Sequence, residues 1–425
     1  MNKKVWALVA ALCLSVVSLT VFAATEHWND ASATPYVHTS TELSPFTGFQ
    51  TWKKNWDDIK TDFEQISLTP GQDETELNFG WYSKEPDSAK IRIFTKSSSS
   101  SASEPKEFEG TFKEGTLIDG VQYYTNKVTV TGLEPDTTYY YQYLLNGEWQ
   151  KRARLDTQDP ESFSVLYVGD PQIGASVKQT PKNGDGEAQS AEIAARNDSF
   201  NWNVALNQAM AAHPDVSFLL SAGDQINQYA DDGKPESLLQ QEYEYSGYLS
   251  PKTLKSLPVA TTIGNHDSQT TGYQNHFNNP NPFTEEKSPT PAGNGYYYSY
   301  GNALFIVINT NNYNAADHKA LLDKATKAYP DKKWQILMFH QDIFGSGQDH
   351  SDSDGIILRT QLTPIIDEYN IDVVLQGHDH TYSRTYQLTG DAKAHKAYDD
   401  TVNLKDSTAK AEFLKENQNY RIAET

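Results

Sequence analysis

The chain has 425 residues, room for two domains with sizeable cores, and 37% hydrophobic and 12% aromatic residues place it among globular rather than disordered sequences. Its 35 Lys and Arg stand against 56 Asp and Glu, a formal charge of −21 that repels nucleic acid and anionic membranes, so neither is expected as a partner. The single cysteine, Cys13, leaves no pair for a disulfide.

Asn2-Lys3-Lys4, an apolar run over 5–22 and Val21-Phe22-Ala23 read as a signal peptide over residues 1–24. Cys13 lies inside it, so the mature chain carries no thiolate ligand or nucleophile. A bacterial secreted, extracellular protein is expected, with no stable membrane insertion after cleavage, because no other run is long enough to cross a bilayer. Residues 25–65 are irregular, punctuated by Trp28, Trp52 and Trp56, and 52–63 is expected to form one amphipathic helix.

Over 66–157 the pattern becomes short alternating strands: Leu77-Asn78-Phe79-Gly80-Trp81, Ile91-Arg92-Ile93 and Val128-Thr129-Val130. A serine run at 97–101 is a loop. The stretch Gly132-Leu133-Glu134-Pro135-Asp136-Thr137-Thr138-Tyr139 resembles the corner of a fibronectin type III sandwich, which implies a Tyr139 hydroxyl bonded back to the backbone. An all-β, fibronectin type III-like spacer is expected here, packed beside a second module.

From residue 160 strands and helices alternate. Strands are expected at 163–168, 216–220, 259–263, 304–309, 334–339 and 373–375, with helices at 203–212, 238–257, 315–329 and 358–369, a layered α/β arrangement with helices outside. Polar residues stand at the strand ends: Gly169-Asp170-Pro171-Gln172, Gly223-Asp224-Gln225, Gly264-Asn265-His266-Asp267, His340 and Gly377-His378-Asp379-His380. Any one of these is an ordinary turn or a solvated histidine. Five in succession, at the ends where α/β sheets present their chemistry, form a candidate metal site.

The order and spacing of these pieces resemble the calcineurin-like metallophosphoesterases and, with the β-domain before them, the purple acid phosphatases and their bacterial relatives, over 66–384. The resemblance implies a metallophosphoesterase domain at 160–395 built of two sheets flanked by helices, with a dinuclear metal site. Asp224 would bridge both metals; Asp170 and His380, with Gln172, would complete one, and Asn265, His340 and His378 the other. Hard carboxylate and neutral imidazole and amide ligands leave such a site net positive toward a phosphate ester. His266 would donate to the phosphoryl oxygen or leaving group, with Asp267 orienting its ring. His350, after the polar loop 345–349, would be a second substrate-facing histidine, and Tyr382 and Arg384 would pack behind the site. The implied activity is acid phosphatase-like hydrolysis of small phosphomonoesters by a metal-bound hydroxide.

Two departures qualify the resemblance. Asn227 stands where purple acid phosphatases carry the tyrosine that binds ferric iron, which argues against a ferric–tyrosinate centre and for a divalent pair, Mn, Zn or Fe. Gln172 stands where the purple enzymes have glycine and many wider relatives histidine, so the first metal should be held less tightly. After Leu388 the chain turns polar, with helical character over 392–419 and a tail at 396–425 that reads as truncated, and the further strands expected to close the second sheet are not visible. Phosphodiester hydrolysis at the same site is the alternative reading. A non-catalytic binding or adhesion protein on a decayed scaffold is the alternative of another class, and nucleotide hydrolysis ranks below both. The oligomeric state is not legible in the sequence.

Overall fold

The computed structural model describes residues 45–95, 104–181, 183–230, 232–345, 350, 354–385, 388–390, 408 and 420–422. The expected signal peptide, the serine run and, save Thr408, the expected 392–419 helix lie outside them. The chain divides into two compact units, residues 1–48 and 49–425, and of the first only the opening of helix α1 (Pro45–Lys54) is described. The single helix expected over 52–63 is in fact the end of α1 followed by the short α2 (Trp56–Lys60). Asn55, a weak helix former, separates them; its N–H is shared between the carbonyls of Thr51 and Trp52, at 3.2 and 3.0 Å.

The β-rich part consists of β1 (Ser67–Pro70), β2 (Glu76–Ser83), β3 (Lys90–Phe94), β4 (Lys106–Glu109), β5 (Thr111–Ile118), β6 (Val121–Thr131), β7 (Thr138–Leu145), β8 (Glu148–Trp149) and β9 (Ala153–Asp156). One antiparallel sheet runs β1-β2-β6-β5; the other runs β4-β3-β7-β8, with β9 also on β7. Alternate residues of both, among them Leu77, Phe79, Trp81, Ile91, Ile93, Val128, Val130 and Tyr141, fill one core. The Tyr139 hydroxyl accepts the Glu134 N–H at 2.9 Å, the corner bond that the sequence implied.

The α/β part contains β10 (Val165–Val168), α3 (Ala191–Ala212), β11 (Phe218–Ser221), α4 (Pro235–Leu249), β12 (Val259–Thr261) and α5 (Gly272–His276). It continues with β13 (Tyr296–Tyr300), β14 (Ala303–Val307), α6 (Ala315–Ala328), β15 (Trp334–Met338), α7 (Asp354–Glu368) and β16 (Val373–Leu375). Strands β10, β11 and β12 form a parallel sheet; β14, β15 and β16 form a second, with β13 antiparallel on its edge. Alternation along the strands sets the layers. Phe218, Leu220, Phe305 and Val307 meet between the sheets. Leu219 and Val259 face Trp202, Leu206, Tyr245 and Tyr248 of α3 and α4. Leu304, Ile306 and Leu337 face Leu321, Leu322, Leu358 and Leu362 of α6 and α7. The order is therefore helix, sheet, sheet, helix.

Two differences from the expectation have physical reasons. Helix α3 starts twelve residues before the expected 203, because buried Arg196, Asn197 and Ser199 interrupt its apolar periodicity. Arg196 is satisfied there by Asp185 Oδ1 at 2.7 Å and Asn197 Oδ1 at 3.1 Å. Strand β13, a tyrosine-rich run buried on both faces, has no polar alternation to announce it. Past Gly-His-x-His the described residues include β17 (Leu388–Gly390), which pairs antiparallel with β18 (Tyr420–Ile422) in a two-stranded sheet of their own that does not extend the second sheet.

The β-rich part is docked on the α/β part by polar contacts. Thr69 Oγ1 donates to Asn278 O at 2.6 Å, Asn278 Nδ2 to Phe79 O at 3.2 Å, and the Tyr141 hydroxyl to Lys255 O at 2.8 Å. Removing the corner hydroxyl with Tyr139→Phe leaves the Glu134 N–H to water and should cost about 1 kcal/mol. An unfolding midpoint in urea equal to that of the native chain would show that the corner bond contributes nothing.

Candidate metal centre

The polar residues singled out above leave the carboxyl ends of β10, β11, β12, β15 and β16, drawn from both sheets. Asp170, Gln172, Asp224, His378 and His380 do so in left-handed backbone, with φ of 53°, 39°, 49°, 75° and 52°. Aspartate tolerates that region; glutamine and histidine seldom occupy it, and such strain gathers at functional sites. Two glycines make the crowding possible. A Cβ on Gly264 would lie 1.9 Å from Asp224 Oδ1, and one on Gly223 (φ 96°) 2.3 Å from His340 Nδ1.

His340, wholly buried, donates from Nδ1 to the Ala222 carbonyl at 2.9 Å, which leaves a lone pair on Nε2 in the neutral ring. Around that nitrogen stand Asn265 Oδ1 at 2.9 Å, His378 Nδ1 at 3.1 Å and Asp224 Oδ2 at 3.3 Å. Asn265 Oδ1 and Asp224 Oδ2 can only accept. Four electron-rich atoms thus converge, and a proton or a cation must lie among them. Burial alone would lower the His340 pKa, but the Asp224 and Asp170 carboxylates overcome it and push it up to about 10. Ligand atoms of Asp224, His340 and His378 all lie within 4.8 Å of one another. Mixed oxygen and imidazole donors of this kind fit a borderline divalent cation, which can replace that proton.

Asp170 is held differently. The His378 N–H reaches both of its carboxylate oxygens at 2.9 Å, and His380 Nε2 lies 3.7 Å from Oδ1. Burial raises the Asp170 carboxyl pKa; His340 opposes the rise and the Asp224 charge adds to it. His380 leaves 54% of its side chain in solvent, so this half is looser than the half around His340. Gln172 does not join the tight cluster. Its Nε2 lies 2.9 Å from His266 Nε2.

His266 is gripped on every side. Its backbone N–H donates to Asp224 Oδ1 at 3.0 Å, Nδ1 meets the Asn227 carbonyl, and the ring stacks on Tyr229 with centroids 4.1 Å apart. With the proton on Nδ1 for Asn227, Nε2 accepts from the Gln172 amide. Burial lowers the His266 pKa in spite of nearby Asp224, so the ring is neutral near pH 7. The expectation that Asp267 orients this ring is corrected. The Asp267 carboxylate turns inward, accepting the N–H of Gly264 at 3.0 Å and of Gln225 at 3.3 Å, and the Tyr245 hydroxyl at 3.1 Å. It clamps the loops after β11 and β12 together, because only there can a fully buried carboxylate find donors. His350 does come to the site, its ring centroid 3.8 Å from that of His378. Tyr382 does not pack behind it, being 81% exposed.

Two neighbours escaped the sequence reading. Tyr229 carries the His266 ring and accepts a hydrogen bond from Asn265 Nδ2 at 2.6 Å; an aromatic residue five positions after Asp224 was its only signal. Glu244, buried on α4, accepts the N–H groups of Asn227 and Gln228 at 2.9 and 2.7 Å and the Gln240 amide at 2.8 Å. Nothing in the local pattern of α4 distinguishes it.

Residues 163–382 match the family model of the calcineurin-like phosphoesterases, and residues 63–157 that of the purple acid phosphatase N-terminal domain. Purple acid phosphatase 23 of Arabidopsis thaliana is 21% identical over 305 residues, 64% of this chain and 60% of that protein. An uncharacterised protein of Mycobacterium tuberculosis is 24% identical over 180 residues, 36% of this chain and 33% of its own length. The chain thus spans between a third and three fifths of these relatives. Among solved structures, a purple acid phosphatase from yellow lupin seeds superposes with a TM-score of 0.49 at 14% identity, covering 74% of this chain and 58% of that one.

Burial pushes the Glu244 carboxyl up to about 8 from an ordinary 4.5. A group whose pKa is raised on folding stabilises the fold fully below its unfolded value, and that contribution is lost as pH rises through the folded value. Native stability should therefore carry a component that declines between about pH 4.5 and 8. Glu244→Gln keeps an acceptor for the two backbone groups and should remove that component. Melting temperatures of the two proteins across this range should converge on or cross toward the variant as pH rises, and parallel curves would show that Glu244 ionises freely.

Proposed function

The chain belongs to the calcineurin-like phosphoesterase family, and from that premise we propose that it is a secreted phosphatase that hydrolyses small phosphomonoesters at a dinuclear cation site. The observation that carries this reading is the convergence of Asp224 Oδ2, Asn265 Oδ1, His340 Nε2 and His378 Nδ1, four potential ligand atoms gathered round one point. Asn265, His340 and His378 would hold one cation, Asp170 and His380 the other, with Asp224 shared between them. Gln172, whose Nε2 is on His266, has only its Oε1 to offer the second cation.

Held by these residues, two divalent cations would supply positive charge for the phosphoryl oxygens and a lowered pKa for a water near neutral pH. The chain's own residues do the rest. Asp170 and Asp224 are aimed by backbone N–H groups of His378 and His266, so neither carboxylate has to reorganise. His266, fixed by Asn227 and Tyr229, presents its Nε2 edge through the Gln172 contact, and once Nε2 takes up a proton it can donate to a substrate oxygen in place of that contact. His350 lines the opposite side against His378. Secretion rests on the cationic and apolar start of the sequence.

The protein reconstituted separately with manganese, zinc and iron should turn over p-nitrophenyl phosphate in preference to bis-p-nitrophenyl phosphate; preference for the diester would move the reading to a phosphodiesterase. Asp224→Asn should abolish turnover and lower metal content, and full activity would remove Asp224 from its shared place. His266→Ala should retain both metals and slow turnover by about a hundredfold, the scale of acid–base assistance. Metal loss in that variant would make His266 a ligand instead.

A further inference from the structure

Asn265 can serve a cation only through Oδ1, and nothing in the covalent structure of an amide favours that orientation. Turned over, its NH2 group would donate to the unprotonated His340 Nε2 and satisfy that nitrogen without any cation. The site would then close on itself. Two contacts oppose this: Asn265 Nδ2 donates to the Tyr229 hydroxyl at 2.6 Å, and Oδ1 faces His340 Nε2 at 2.9 Å, where it accepts while that nitrogen carries a proton but is left without a donor once a cation displaces it. The Tyr229 ring is in turn held flat on His266, centroids 4.1 Å apart at 28°, and His266 is tied to Asn227 and Asp224. A rigid phenol therefore presents its oxygen to the far side of the amide.

We infer that Tyr229 is a positioning residue for the cation site: its hydroxyl locks the Asn265 amide with the oxygen inward and prevents the cluster from quenching itself. This rests on the cation-binding reading above and adds a residue outside the ligand set. Asn227 stands where the resembling enzymes put a ligating tyrosine, whereas Tyr229 acts through Asn265 and needs no bond to a metal.

The test is calorimetric titration of the metal-free protein with Mn2+, read as affinity and independent of turnover. Asn265→Ala identifies the binding step to which Asn265 contributes. In Tyr229→Phe the ring stack remains and the hydroxyl's bond to Asn265 is lost. That step should weaken by about tenfold, the factor carried by one hydrogen bond of about 1.4 kcal/mol. The melting temperature of the metal-free variant should not fall. In an Asn265→Asp background either orientation offers an oxygen, so adding Tyr229→Phe should change the affinity by less than about twofold. Unchanged affinity in the single variant overturns the lock, as does an equal loss in both backgrounds. A native protein that binds no Mn2+ overturns the cation site itself, and with it the lock.

Discussion

Four electron-rich atoms facing one another inside a protein are unstable unless something positive sits among them, and the rest of this structure is arranged to keep them there. His340 cannot turn away, because its other nitrogen is committed to Ala222 O. Asp224 cannot turn away, because its second oxygen takes the His266 N–H. His378 is held by its own backbone, which donates to Asp170. His340 and Asp224 are thus each fixed from behind by a hydrogen bond that leaves an electron pair pointing inward. This preorganisation is what a cation would meet in place of water.

The architecture follows from that requirement. Parallel strands end together, so two parallel sheets packed face to face bring five loops to one end of the sandwich. The loops must then approach more closely than side chains allow, which is why glycine precedes Asp224 and Asn265. Left-handed turns at Asp170, Asp224, His378 and His380 aim the side chains inward rather than along the strand. Buried acids complete the support. Asp267 ties the loops after β11 and β12, and Glu244 ties the loop that carries Asn227. Neither needs to touch a substrate to matter, since both set where His266 and Asn265 stand.

The two halves of the centre differ in how firmly they are built. Around His340 every donor is buried or held by a partner, whereas His380 is open to solvent and Gln172 is engaged with His266. The asymmetry follows from position. His340 is wholly buried at the end of β15, an inner strand, and of the two histidines after the edge strand β16 the first, His378, is buried while His380, two residues further along, reaches solvent.

The sequence by itself determined the class of the fold and the identity of the cluster. Alternation marked the strands of the β-rich part and the strand–helix succession of the α/β part, the sandwich arrangement coming from the family resemblance, and glycine followed by a polar residue at successive strand ends marked Asp170, Asp224, Asn265 and His378, because turn chemistry is local and written in neighbouring residues. Orientation was decided only by tertiary structure. Whether Asp267 served His266 or the loop backbones depended on donors from Gly264, Gln225 and Tyr245, which residue spacing does not report. Tyr229 and Glu244 reach the site from positions with no motif around them, and the buried polar face of α3 was hidden because its partners lie elsewhere in the chain. Local pattern records which residues turn the chain and which face is apolar; the direction of a hydrogen bond depends on groups that only folding brings within 3 Å of one another.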